Sequence, residues 1–158
     1  MNSLPVSSSR QVAGRGFSLR REAHRLVGVF TRPMTAEAGE ALESVLGPVP
    51  PTRYLHLAAP GPAVRLPSEE DTAVLRLRVF RLLRAFRLVE GRAAFVLEAS
   101  GFAAAAYHAF GTSVLSVAGL RADHAVFRDV GEACLWLSNG DAGHAMDWTG
   151  LVARARLV

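Results

Sequence analysis

The stretch from Arg92 to Leu137 decides the fold. It opens with Arg92-Ala93-Ala94-Phe95-Val96-Leu97, a continuous apolar run of the kind that forms a strand covered on both faces. Ser100-Gly101 can cap a helix from Phe102 to about Val117, with Phe102, Ala106, Ala109, Phe110 and Val114 near one face, and Gly119 stops it. A second strand is expected over Asp123-His124-Ala125-Val126-Phe127. It leads to Asp129, and Glu132 three residues on completes a capping-box spacing, in which each side chain reaches a free backbone N–H. Val130, Ala133, Cys134 and Leu137 then recur at i, i+3, i+4 and i+7 as one apolar stripe. The unit reads strand–helix–strand–helix, with its two strands parallel. No motif in it specifies a reaction or a ligand.

Upstream, Asp71 to Val89 carries two overlapping patterns. Val74 to Val79 alternates like a strand, whereas helical spacing puts Leu75, Val79, Leu82, Leu83, Phe86 and Val89 on one face. The length of the segment without a turn residue favours helix. Its opposite face then carries Arg76, Arg78, Arg81, Arg84 and Arg87, with Leu77 and Phe80 among them. Ser68, followed by Glu69, Glu70 and Asp71, suits the start of that helix, because acids complement the positive end of its dipole.

Further back, Tyr54-Leu55-His56-Leu57-Ala58 has strand character between Pro48-Val49-Pro50-Pro51 and Pro60-Gly61-Pro62. Thr35 is placed to cap a helix with Ala38, Ala41, Leu42, Val45 and Leu46 on one side. Phe17 to Arg20 and Leu26 to Phe30 read as an antiparallel hairpin about Ala23-His24. Residues 1–16, rich in Ser, Gly and Arg, are expected to be disordered. Downstream, Asn139-Gly140 marks a turn, and 139–158 is expected to be a weakly amphipathic C-terminal tail. The folded domain is then 17–138, of order ββαβαβαβα. This is an α/β fold with a mixed, largely parallel sheet, an opening β-hairpin and crossover helices.

The chain of 158 residues is one domain by the usual size prior and long enough to bury a core. Half of it is apolar, yet no run approaches the roughly 20 residues that span a bilayer. The N-terminus shows no secretory pattern, and a single cysteine, Cys134, excludes an intramolecular disulfide, so a reducing cytoplasm is the expected compartment. All 18 basic residues are arginine, for a formal charge of +4. That charge permits nucleic acid as a partner without favouring it, because acids are interspersed and the few aromatics sit at core-like positions.

The pattern Ala93-Ala94-Phe95-Val96, Ser100, Tyr107 to Phe110, then Val126-Phe127-Arg128-Asp129-x-x-Glu132-Ala133-x-x-Trp136-Leu137 resembles the C-terminal half of STAS-like proteins. Within them it is most similar to anti-sigma-factor antagonists, especially the small bacterial SpoIIAA-like group. The hairpin with Arg25-Leu26-Val27-Gly28-Val29 is similar to that group's first two strands. The resemblance spans roughly 17–138 and implies a STAS-like fold and a regulatory, protein-binding role. One departure stands out. Antagonists switched by phosphorylation carry an Asp-Ser-Ser-Gly-like turn before the helix after their central strand, and this chain has Leu66-Pro67-Ser68-Glu69-Glu70-Asp71 there. Ser68 is the hydroxyl in place to be a phosphoacceptor, but a plain N-cap explains its position completely and is the favoured reading, and its acidic neighbours repel an added phosphate.

The partner-binding residues expected are Arg76, Leu77, Arg78, Phe80, Arg81, Arg84 and Arg87, since arginines mixed with apolar and aromatic side chains have the composition of interface anchors. A solvated face is the alternative, and so is docking through the tail around Trp148 and Leu151. His24, His56, His108, His124 and His144 lack ligand spacing, so no metal is expected. Cys134 on its apolar stripe reads as a small core hydrophobe. There is no phosphate loop, nucleophile elbow or paired carboxylate outside caps. The sequence therefore predicts a non-enzymatic domain without cofactor that binds another protein. The alternative is a binder of an anionic or apolar ligand (nucleotide, lipid or nucleic acid) through the arginine face.

Overall fold

The computed structural model of the chain describes residues 9–32, 35–46, 49, 51–59, 73, 91–99, 101, 104–105, 108–109, 112 and 123–157. Among the described residues, six strands form one sheet whose spatial order is the chain order: β1 (Ser9–Gly14), β2 (Phe17–Glu22), β3 (Arg25–Phe30), β4 (Arg53–Ala58), β5 (Arg92–Leu97) and β6 (Asp123–Phe127). β1, β2 and β3 pair antiparallel, and β3 to β6 pair parallel. The expected parallel pairing of the strands at 93–97 and 123–127 is present, in register Ala93↔His124 to Val96↔Phe127. The sheet is thus mixed and largely parallel, within an α/β architecture. Among the described residues, no helix is long and apolar enough to cross a membrane.

Alternation along the strands sends side chains to two faces, and each face has its own cover. From β3, Leu26 and Phe30 join Phe17, Leu19, Tyr54 and Ala93 on the first face, against Ala38, Leu42, Val45 and Leu46 of helix α1 (Ala36–Leu46). From the same strand, Val27 and Val29 join Leu55, Leu57, Ala94 and Val96 on the second face. Helices α2 (Val130–Leu137) and α3 (Ala142–Arg156) close that face with Ala133, Cys134, Leu137, Trp148, Leu151, Val152 and Ala155. Double coverage explains why β3, β4 and β5 read as apolar runs.

Two of the expected N-caps are formed, and of the capping box at Asp129 the half made by Asp129 is present. The Thr35 hydroxyl accepts from the Ala38 N–H at 3.2 Å, and the Asp129 carboxylate accepts from the Glu132 N–H at 2.9 Å. Arg21 caps the other end of α1, donating to the carbonyls of Val45, Leu46 and Val49; a cation suits the negative end of the helix. The Asn139-Gly140 turn has both residues at positive φ, 54° and 81°.

Two expectations need correction. Ser9–Gly14, assigned to a disordered segment, is an edge strand paired to β2 from Ser9↔Glu22 to Gly14↔Phe17. Its stability lies in backbone pairing and in Val12 against the first-face core, which a search for apolar surface overlooks. The signal was Arg15-Gly16, a two-residue hairpin loop with Gly16 at φ +84°. The tail is not a tail either. Asp141 caps a 15-residue helix by accepting from the His144 N–H at 2.9 Å, and Trp148, Leu151, Val152 and Ala155 fall at i, i+3, i+4 and i+7 on its buried stripe. The folded unit therefore begins before residue 17 and continues past 138. Trp148 and Leu151, weighed as docking residues, are 3 % and 0 % exposed inside this chain's own core.

Candidate functional site

The arginine face expected to bind a partner, Arg76, Leu77, Arg78, Phe80, Arg81, Arg84 and Arg87, lies outside the described residues, as does Ser68. Within Asp71 to Val89 only Ala73 is described, and it is helical. The structure brings together three other constellations, each at a defined place on the sheet.

The first lies at the carboxyl edge of the parallel strands, where open α/β sheets bind their ligands. Leu97 ends β5 and Ala99 follows it, Arg128 follows β6, and the helical residues Gly101, Ala104, Ala105 and His108 add to the wall. They line a cavity of ≈ 280 Å³, near the small end of the roughly 300–1,000 Å³ typical of ligand pockets. The wall is mainly apolar, and among the described residues its members with polar side chains are Arg128 and His108. Neither side chain has a hydrogen-bond or ion-pair partner among the described residues. Such a cavity suits a small molecule with an apolar body and one negative charge.

The second is an aromatic cluster on the first face. The His56 ring stacks on Phe30 at 4.5 Å between centroids and meets Tyr54 edge-on at 5.9 Å and Phe95 at 5.6 Å. Gly28, opposite His56 in the β3–β4 register, makes the room. A Cβ there would come within 2.7 Å of the Phe30 ring and 3.2 Å of the Tyr54 hydroxyl. Burial pushes the His56 imidazole down to about 4 and pushes the Tyr54 phenol up. Both are therefore neutral near pH 7, so the Tyr54 O–H donates to His56 Nδ1 across 2.7 Å. The pair satisfies polar atoms inside the core, and its chemistry is that of a structural link.

The third lies at the amino edge of the parallel strands. β3, β4, β5 and β6 begin with Arg25, Arg53, Arg92 and Asp123, all in register. Sequence reasoning missed this row because its members are far apart along the chain. The available signal was that an arginine opens, or immediately precedes, three successive apolar strands.

Cys134 is fully buried and its thiol is pushed up by burial, the state of an inert core cysteine. No three His, Cys, Asp or Glu side chains among the described residues are grouped to hold a metal ion. Set against protein-family models, curated proteins and solved structures, the chain matches none. Its function is therefore read from its fold and its charges.

Proposed function

We propose that the chain is a non-enzymatic STAS-like regulatory or scaffolding domain that works in the cytoplasm by binding another protein. The observation that supports this reading is the strand order from β2 onward, where an antiparallel hairpin leads into parallel strands that follow one another in sequence, as the SpoIIAA-like resemblance implies; β1 is an addition at the edge. A fold hosts many functions, so the test must detect the partner itself. The full-length chain, tagged and expressed in its native source, should retain one protein in a stoichiometric complex through gel filtration. Replacing Arg78, Arg81 and Arg84 together by Glu should disrupt that complex without lowering the melting temperature, if the arginine face carries the contact. Recovery of the chain alone, with no protein partner, counts against the proposal.

The cavity at the carboxyl edge favours a second reading, a binder of a small anionic or apolar ligand, with Arg128 as its charge-reading group. Native mass spectrometry separates the two. A small-molecule mass that leaves on denaturation, and that is lost in Arg128→Ala, would support the ligand reading.

A further inference from the structure

Among the described residues, the amino edge of the sheet carries more positive charge than its carboxylates neutralise. Among the described residues, four guanidiniums there, from Arg20, Arg25, Arg92 and Arg154, share two carboxylates, Glu22 and Asp123, and Arg53 stands in register between Arg25 and Arg92. Glu22 is shared among Arg20 at 3.0 Å, Arg154 at 3.3 Å and Arg25 at 4.0 Å. Burial works against its charge, but the hydrogen bond from Arg20 and the charge of Arg154 prevail and hold its carboxyl below the ordinary range. Arg25 thus has only the loosest share of one carboxylate. Asp123, 75 % exposed, stands 3.9 Å from Arg92. Arg53, between them, bonds only to the Thr52 carbonyl, at 3.2 Å, and has no acidic partner among the described residues.

The row is also held in place. Arg25 Cζ lies 5.8 Å from the centroid of the Trp148 ring, and Arg92 Cζ lies 4.9 Å from that of Trp136 while its Nη1 donates to the Trp136 carbonyl at 2.8 Å. Cation–π contact and these bonds remove rotamer freedom before any ligand arrives. Arg25 and Arg92 remain 25 % and 28 % exposed, so their charges are reachable. His24 senses the same field: its imidazole is held below its ordinary value by burial and by the charges of Arg25 and Arg53.

We propose that Arg25, Arg53 and Arg92 form a carboxylate-binding row that receives an acidic segment of a partner protein. This rests on the protein-binding reading above and adds the chemistry of the partner. Strand spacing makes the row about 10 Å long. Two acidic residues at i and i+2 of an extended segment, about 7 Å apart, fall within it. Planar guanidiniums suit carboxylates through paired N–H donors. Nucleic acid fits less well, because single strands need open aromatic faces for their bases. Here Trp148 is 3 % exposed, and Trp136 is occupied by Arg92 and by Phe127, whose ring centroid is 5.6 Å away.

The test titrates full-length chain with a fluorescent Gly-Glu-Ser-Glu-Gly peptide at low salt, alongside its Gln-for-Glu counterpart, an oligothymidylate and inorganic phosphate. Wild type should bind the Glu peptide and not the Gln peptide, and added salt should weaken the complex. Arg53→Ala should weaken it by about tenfold or more, with melting unchanged because its side chain makes only one bond to a neighbouring carbonyl. Equal binding by wild type and Arg53→Ala, absence of binding by wild type, or tighter binding of oligothymidylate or phosphate would each overturn the row. Co-purification is read separately. A partner retained equally by Arg53→Ala rejects the row and leaves the protein-binding reading standing. Intact peptide binding with no protein co-purified from the native source rejects that reading and leaves the row as a carboxylate site.

Discussion

Both faces of the sheet are covered by apolar side chains, but they are built from different chemistry. Under α1 the centre of the face is aromatic and contains a polar link, Tyr54 to His56, set among Phe30 and Phe95. Under α2 and α3 the face is mostly aliphatic, closed by Trp148 and Cys134, and among the described residues its one buried orphan is the hydroxyl of Ser18. A core whose polar atoms are paired with each other makes its stability depend on protonation. A core that leaves a hydroxyl unpaired carries a fixed cost at every pH. The faces should therefore fail differently.

The largest effect is expected where α3 is anchored. Trp148 is 3 % exposed and lies on the stripe that holds the helix to β2 and β3. Trp148→Ala should lower the unfolding free energy by about 3–5 kcal/mol, as large-to-small core changes do. Urea denaturation at neutral pH would measure it, and a loss near zero would mean that α3 contributes nothing to the second face. The loss should be the same at acidic and neutral pH, because no titrating group is removed.

Acid should act on the first face. An imidazole ordinarily near 6.5 is held to about 4 in the folded chain, so between those pH values the unfolded chain binds the extra proton. Stability contributed by neutral His56 is complete above pH 6.5, declines as pH falls through that window, and is lost by pH 4. The full difference is about 3 kcal/mol. Urea midpoints at pH 7 and pH 4.5 should show much of it. In His56→Gln, whose side-chain oxygen can still accept from Tyr54, this part of the pH dependence should vanish. An undiminished acid sensitivity in that variant would move its cause away from the aromatic cluster.

The sequence disclosed each face in part, and elements better than sites. Residues 92–97 and 123–127 are the strands that their apolar runs predict, and Asp129 and Thr35 cap the helices they precede. Those features are local, encoded in neighbouring residues. β1 escaped notice because an edge strand is held by backbone bonds that leave little trace in side-chain type. α3 escaped because its apolar stripe is diluted by Ala, Gly and Thr, although the spacing of Trp148, Leu151, Val152 and Ala155 was readable. His56 looked like an isolated histidine, since only the β3–β4 register sets it against Phe30 and Gly28. The Arg25–Arg53–Arg92 row is likewise a product of strand register.

The smallest effect has the opposite sign and sharpens the contrast most. Ser18 lies on β2 opposite Val29 and Ala13, 5 % exposed, and its Oγ finds no hydrogen-bond partner among the described residues. In the unfolded chain that hydroxyl is solvated, so folding forfeits its bonds to water without replacing them. Ser18→Ala removes the group and leaves the backbone pairing with both neighbours intact. Stability should rise by about 1 kcal/mol, a gain of roughly 2–4 °C in melting temperature for a chain of this size. Calorimetry of the purified variant would measure it, and the gain should be equal at pH 7 and pH 4.5. A loss of similar size would show that Oγ is bonded to a buried water, and the aliphatic face would then hold a satisfied polar link of its own, removing the difference between the two sides of the sheet.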